Sequence, residues 1–146
     1  MTADPLAAAF PLLTTGQLKQ ISALAENITI KEGSILLREG HHADSIYLIT
    51  QGVADLVKNL AEMKNVVTEI KAGEVVGEMA FAGNFPATAT VTAATDIAVI
   101  KIDKSKLMAL LEGDAALGMA VFRSIASILS RRLLQITERF AYLRLT

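Results

Sequence analysis

Between residues 28 and 102, short runs of β-branched and apolar residues alternate with turns that contain glycine or asparagine. The runs cover residues 28–30, 34–37, 45–50, 53–57, 65–70, 74–77, 88–93 and 97–102, and between them lie Gly33, Gly40, Gly52, Asn59, Gly73 and the loop at Gly83. Runs of this length bounded by turn residues are typical of β-strands. Eight short strands at this spacing predict a barrel, a jelly roll or a sandwich.

Helical patterns flank the strand region on both sides. Thr14 or Thr15 offers an N-cap, and apolar residues then recur at helical spacing up to Asn27, which predicts a short amphipathic helix. Asp103 is placed to cap a second short helix over residues 104–111.

The last segment, from residue 115 onward, carries an uninterrupted heptad pattern. Its apolar positions are spaced alternately three and four residues apart, as in a coiled coil. These positions are Met119, Phe122, Ala126, Leu129, Leu133, Ile136, Phe140 and Leu143. A second apolar row lies on the neighbouring face over the first half only, at Leu117, Val121, Ile125 and Ile128. We predict a long helix that packs on the strands through the second row and forms a homodimer interface through the heptad row. The alternative is a lone helix folded back on the strands.

The predicted fold class is mainly β with flanking α-helices. A length of 146 residues and a hydrophobic content of 52% suit one domain with a genuine core. We expect a flexible N-terminus over residues 1–11, a strand-rich domain with short flanking helices over residues 12–114, and the long dimerisation helix over residues 115–146.

Composition narrows the classes of function and partner. The net charge of -1 gives no reason to expect a nucleic-acid or membrane partner. The chain has no cysteine, which removes disulfides, thiol catalysis and cysteine-ligated metals and is consistent with a cytoplasmic protein. No signal segment and no uncharged apolar run of about 18 residues is present, so we expect neither secretion nor a membrane span.

Arginine is enriched in the predicted long helix. From residue 115 onward the chain holds Arg123, Arg131, Arg132, Arg139 and Arg144, against Glu138 alone. We interpret these as a solvated helix face, because arginine enrichment alone does not make a nucleic-acid recognition helix.

The most distinctive stretch is residues 75–93. A strand ending at Val76 meets Gly77, which allows a sharp turn and close backbone approach by a ligand. Glu78 follows, and residues 79–81 are helix-compatible, so we predict a single short helical turn. Free N–H groups at the start of such a turn can cradle an anion.

The order G-E-M-A, a short glycine and proline loop, and then P-A-T-A-T-V resembles the phosphate-binding cassette of the cyclic nucleotide-binding domain family. This family includes the sensor domains of catabolite-activator-type regulators and of cyclic-nucleotide-dependent kinases. The matching cassette residues are Gly77, Glu78, Met79, Ala80 and Thr88, and Gly33, Gly40, Tyr47 and Gly52 fall where the family has turn glycines and a strand aromatic. The resemblance covers roughly residues 12–143 and implies an eight-stranded β-roll or jelly roll followed by a long C-terminal helix.

The resemblance also implies a binding site. In the family the glycine and the following amides meet the cyclic phosphate, and the glutamate bonds the ribose 2′-hydroxyl. The ligand-binding residues predicted on this basis are Gly77, Glu78, Met79, Ala80, Ala87, Thr88 and Ala89. Cyclic AMP or cyclic GMP is the candidate ligand, and no cofactor is assigned beyond it. Taken alone, Glu78 could instead cap the short helix, and Thr88 could bond its neighbouring backbone.

Ala87 occupies the place of the family arginine that pairs with the phosphate. A charge-assisted hydrogen bond contributes roughly 1.5–3 kcal/mol. We therefore expect cyclic nucleotide binding to be weaker by about tenfold to a few hundredfold. Arg38, Lys58 and Arg123 are candidates to replace the missing arginine from elsewhere in the chain.

The sequence thus predicts a regulatory small-molecule-sensing domain with weak or altered nucleotide binding that signals through its C-terminal helix. The alternative is a ligand-free dimerisation or interaction module that keeps the fold. Sensor domains of this family usually continue into a helix-turn-helix, and none is in this sequence, so we expect either a sensor that acts alone or a piece of a longer regulator.

Neither catalysis nor metal binding is predicted. The sequence holds no nucleophile–base pair in a motif, no paired carboxylates and no P-loop. His41 and His42 are adjacent and lack further ligands, so we interpret them as exposed turn residues.

Overall fold

The computed structural model describes residues 4–60 and 63–145, and it describes side chains over residues 4–59 and 68–141. Eight strands are present: β1 (Ala25–Ile30), β2 (Ile35–Leu37), β3 (Ser45–Gln51), β4 (Val53–Leu60), β5 (Met63–Lys71), β6 (Val75–Val76), β7 (Thr90–Ala93) and β8 (Ile97–Asp103). The helices of the described residues are α1 (Pro5–Ala9), α2 (Thr15–Ser22), α3 (Glu78–Gly83), α4 (Lys104–Glu112) and α5 (Ala115–Leu145). The predicted fold class and its eight strands are confirmed.

The strands form two four-stranded antiparallel sheets, in the orders β1-β8-β3-β6 and β2-β7-β4-β5. Side chains on β3 alternate between two cores, as the period of a strand requires. Ile46 and Leu48 pack with the helices, whereas Tyr47 and Ile49 pack in the interior of the roll against the second sheet. The helices therefore cover the outer face of the first sheet, and the roll keeps a separate apolar interior.

The N-terminal region differs from the prediction in two places. Where composition suggested loose order, residues 5–9 form α1, because Asp4 accepts a hydrogen bond from the N–H of Leu6 and the Leu6 side chain is buried in the helix-covered core. The predicted helix to Asn27 is wrong. Thr14 caps α2 as predicted, but α2 ends at Ser22 and β1 begins at Ala25, since its backbone pairs with β8.

Asp114 directly precedes α5, and its side chain accepts a hydrogen bond of 3.1 Å from the Leu117 N–H. The second apolar row then enters the helix-covered core, with Leu117, Val121 and Ile125 at most 2% exposed. Ile128 is half-buried against the same core. This row therefore packs on the roll, as expected.

The heptad row of α5 divides into two sets. Met119, Leu133 and Phe140 are 64–66% exposed, and Ala126 between them is exposed too. The intervening positions contact their own chain: the Phe122 ring stacks on Phe81, Leu129 packs partly on the core, and Ile136 lines a cavity. The side chain of Leu143 lies outside the described residues. The homodimer interface stays a prediction. The exposed positions of the heptad row are the ones that a second copy of the chain could contact.

Within residues 4–60 and 63–145, none of the helices combines enough length with enough apolar character to traverse a lipid bilayer.

Candidate functional site

The turn between β6 and α3 depends on a glycine. Val76 ends β6 by pairing with Tyr47 of β3, and Gly77 then takes a left-handed conformation with φ +92°. A Cβ atom on Gly77 would lie 2.5 Å from the backbone oxygen of Ser45. Any side chain here would therefore add both backbone strain and a collision.

Helix α3 is the short helical turn that the sequence predicts. It begins directly after Gly77 and ends where Asn84, with φ 57°, donates its N–H to the Ala80 oxygen over 3.1 Å. The chain then returns through Ala87, whose N–H donates to the His41 oxygen over 2.9 Å and whose own oxygen accepts from the Gly40 N–H over 2.8 Å. Two backbone hydrogen bonds thus hold Ala87 in place.

Thr88 lies just outside the strand that was predicted to contain it, because β7 begins only at Thr90. The backbone oxygen of Thr88 accepts a hydrogen bond of 2.6 Å from the Lys58 ammonium, which also forms an ion pair with Glu39. The separate hydrogen bond that Lys58 donates to the Glu39 carboxylate holds the pKa of Glu39 below its ordinary value. Within the described residues, the Thr88 hydroxyl itself makes no hydrogen bond, so it is available to a ligand.

A cavity of about 340 Å³ lies between these segments and α5. Its floor is the inner face of the second sheet, at Leu37, Leu56, Ile70 and Val91. The cavity wall contains all seven of the predicted ligand-binding residues, Gly77, Glu78, Met79, Ala80, Ala87, Thr88 and Ala89. The covering helix contributes Arg132, Gln135, Ile136 and Arg139. Known small-molecule sites are roughly 300–1,000 Å³ with mostly apolar walls, so this cavity is large enough for one.

Glu78 and Arg132 join the cassette to α5. The Glu78 side chain is almost fully buried, and the Arg132 guanidinium donates to its carboxylate and to the backbone oxygen of Val75. Buried carboxylates require such a partner, because an unpaired charge away from water is strongly unfavourable. The N-cap position of α3 belongs to Gly77, so Glu78 does not take the helix-capping role considered above.

Sequence reasoning did not identify Arg132. The three candidates that it did identify, Arg38, Lys58 and Arg123, do not line the cavity. A usable signal was present, since the buried row of α5 stops at Ile128 and continues at the same helical spacing with Arg132, Gln135 and Arg139. A row that turns cationic halfway along a helix indicates a change in what that face covers.

The two histidines lie apart from this site. The side chains of His41 and His42 are exposed. His41 contacts the site only through its backbone oxygen, which accepts the hydrogen bond from the Ala87 N–H. In the part of the chain that the structure describes, no group of three or more histidine, aspartate or glutamate side chains is placed to hold a metal ion.

Comparisons with known proteins identify similar sequences and similar folds. The sequence model of the family described as "Cyclic nucleotide-binding domain" matches residues 27–114. The cAMP-dependent protein kinase regulatory subunit of Yarrowia lipolytica is 31% identical over 104 residues, which is 69% of this chain and 27% of that protein. The chain spans only 21–27% of the first curated relatives it matches.

Two solved structures are similar over most of the chain. The N-terminal domain of a transcriptional regulator from Streptomyces coelicolor is 25% identical, with a TM-score of 0.76, and the match covers 89% of this chain and 95% of that one. A cyclic nucleotide-binding domain from Methylobacillus flagellatus is 18% identical, with a TM-score of 0.82, and the match covers 92% and 81%. By name, these similar proteins are regulatory or nucleotide-binding.

Proposed function

The chain belongs to the cyclic nucleotide-binding domain family, and on this premise we propose that it is a regulatory domain that senses a small molecule and signals through α5. The observation that carries the proposal is the cavity, which is lined at once by the cassette and by α5. A ligand there would contact both elements. The proposal assigns the chain no catalytic role, and it keeps the cytoplasmic location expected from the sequence.

The proposed signal is a shift in the population of α5 arrangements. Two contacts already link α3 to α5: the Glu78–Arg132 ion pair and the stacked rings of Phe81 and Phe122, whose centroids are 5.3 Å apart. A ligand that binds one arrangement of these contacts more tightly favours that arrangement. Dimer formation through α5 would then be linked to ligand binding, and the linkage would be reciprocal.

The proposed ligand is a cyclic nucleotide bound weakly. Glu78 offers a carboxylate oxygen that can accept from a ribose hydroxyl, and the apolar floor suits a base and sugar. Ala87 brings only a methyl group to the place where the family has an arginine, which supports a low affinity.

The test is calorimetric titration of the protein with cyclic AMP and cyclic GMP up to millimolar concentration. We expect saturable binding of at least one of them. The 2′-deoxy form of the better ligand is the matched control, and it should bind less tightly because Glu78 loses its hydroxyl partner. Absence of heat and of any thermal shift with both nucleotides would overturn the proposed ligand class.

A second candidate function is a ligand-free dimerisation module. It is favoured by the exposure of Met119, Leu133 and Phe140 on one side of α5, which together form an apolar row facing solvent. Titration separates the two candidates, because a ligand-free module would give no heat.

Dimerisation has its own test in a double variant, Leu133→Asp with Phe140→Asp. Two buried charges in a coiled-coil seam oppose association, so sedimentation should report a fall from dimer to monomer mass. Ile136 is left unchanged because it lines the cavity. The matched control is Leu134→Asp, which alters an exposed leucine outside the row and should keep the dimer mass. Equal masses for the double variant and the unaltered protein would exclude this row as an interface.

A further inference from the structure

The face of α5 that packs on the roll changes character along its length. Its first half is apolar at Leu117, Val121, Ile125 and Ile128, and its second half continues with Arg132, Gln135 and Arg139. The change coincides with the point where the helix leaves the core and covers the cavity. A helix that only covered an apolar pocket would be expected to continue its apolar row.

Arg132 is already positioned at the cavity. A guanidinium has five N–H donors, and Arg132 directs donors at the Glu78 carboxylate and the Val75 oxygen. Its remaining donors have no partner among the described residues. These two bonds already hold the Arg132 side chain in place. Binding a ligand would therefore cost little further conformational entropy of that side chain.

The cassette itself offers no cation to an anionic ligand. Ala87 is neutral. Lys58 does not line the cavity, and its ammonium donates to Glu39 and to the backbone oxygen of Thr88. The lining carboxylates Glu69, Glu74 and Glu78 would repel an anion if nothing compensated them. Among the described lining residues, positive charge comes only from α5, through Arg132 and Arg139.

We propose that Arg132 supplies from α5 the cation that the cassette lacks at Ala87, so that it binds the anionic phosphodiester of the ligand while remaining paired with Glu78. This inference rests on the proposed function and specifies how that site recognises its ligand. Arginine suits such a bridge because its planar fork serves two anions from different edges. Recognition of the anion and contact with the signalling helix are then one interaction.

The experiment is titration of Arg132→Gln with the tighter-binding cyclic nucleotide, beside Arg131→Gln as the matched control. Arg131 is the neighbouring, exposed arginine and does not line the cavity. We expect Arg132→Gln to weaken binding by about tenfold or more, since a charge-assisted contact is lost, and Arg131→Gln to leave it unchanged. Arg132→Lys keeps a cation beside Glu78 and should weaken binding by less, which provides a variant that folds if Arg132→Gln does not.

Repeating the Arg132→Gln change in the Ala87→Arg protein tests whether Arg132 acts on the ligand or only on the fold. In the Ala87→Arg protein the cassette carries its own cation, so Arg132→Gln should weaken binding there by no more than about threefold, because the cassette arginine then carries most of the phosphate contact. A purely structural role for Arg132 would reduce affinity equally in both backgrounds and would overturn the inference.

The remaining outcomes are also decisive. Unchanged affinity in Arg132→Gln would overturn the inference, and tighter binding would do the same by showing that Arg132 blocks the site. Binding only by proteins that carry Ala87→Arg would overturn it while supporting a family-type pocket. Absence of binding by the unaltered protein and by Ala87→Arg would instead refute the proposed function.

Discussion

Replacing Ala87 with arginine should tighten the binding of cyclic AMP by about tenfold to a few hundredfold, because a forked, charge-assisted contact to phosphate contributes roughly 1.5–3 kcal/mol. The backbone of Ala87 is held by hydrogen bonds to Gly40 and His41, and the residue lines the cavity. The new side chain would therefore start from a fixed position at the cavity wall. Since Ala87 is only half-buried, the fold should tolerate the change.

Calorimetric titration of Ala87→Arg and the unaltered protein measures this gain directly. Ala87→Gln is the matched control, because it adds a side chain with hydrogen-bonding capacity but no charge. We expect it to change the affinity only slightly. If Ala87→Arg folded normally and bound no more tightly than the unaltered protein, the cavity could not be a weakened form of the family site.

Replacing Gly77 with alanine should lower the free energy of unfolding by about 2–5 kcal/mol and remove ligand binding. Left-handed backbone at a non-glycine residue costs about 1–2 kcal/mol, and forcing an extra methyl into a packed region costs about 1–3 kcal/mol more. The methyl would lie 2.5 Å from the backbone oxygen of Ser45, and a backbone atom in a strand cannot easily move away. Relief of the collision would displace the turn that leads into Glu78 and α3.

Gly73→Ala provides the comparison for this change. Gly73 has φ +96°, close to the +92° of Gly77, but a Cβ atom there would meet nothing within 4 Å. Gly73→Ala should lower the free energy of unfolding by only about 1–2 kcal/mol, from backbone strain alone, and the variant should keep its ligand affinity. Denaturant unfolding and titration of both variants separate strain from collision. Equal losses of stability would contradict the role assigned to the Ser45 contact.

The features that the sequence predicted are those set by local pattern. The eight strands follow from short β-branched runs between turn residues, and the short turn after Gly77 follows from one glycine and a helix-compatible run. The buried row of α5 was readable from its spacing. The predicted ligand-binding residues line one cavity, and they are close together in the sequence.

The features that the sequence did not predict depend on contacts between distant segments. Arg132 meets the Val75 oxygen across 57 positions of the chain, and no local pattern indicates which arginine of α5 makes that contact. The end of α2 was misplaced because pairing of β1 with β8 outweighs a helical pattern that runs into Ala25. The division of the heptad row depends likewise on the ring of Phe81, which stacks on Phe122.

Helix α5 packs on the core through its N-terminal half, and its C-terminal half extends beyond the core. Ile125 is the last fully buried residue of the apolar row of α5, so we take it as the point about which the outer half of the helix would tilt. Along the helix axis Arg132 lies about 10 Å beyond Ile125, and Phe140 lies about 22 Å beyond it. A displacement of about 1 Å at the ion pair would therefore sweep Phe140 through about 2 Å. Interlocked side chains in a coiled coil are sensitive to shifts of this size. In the predicted homodimer, the outer turns of α5 would therefore magnify a small displacement at the cavity.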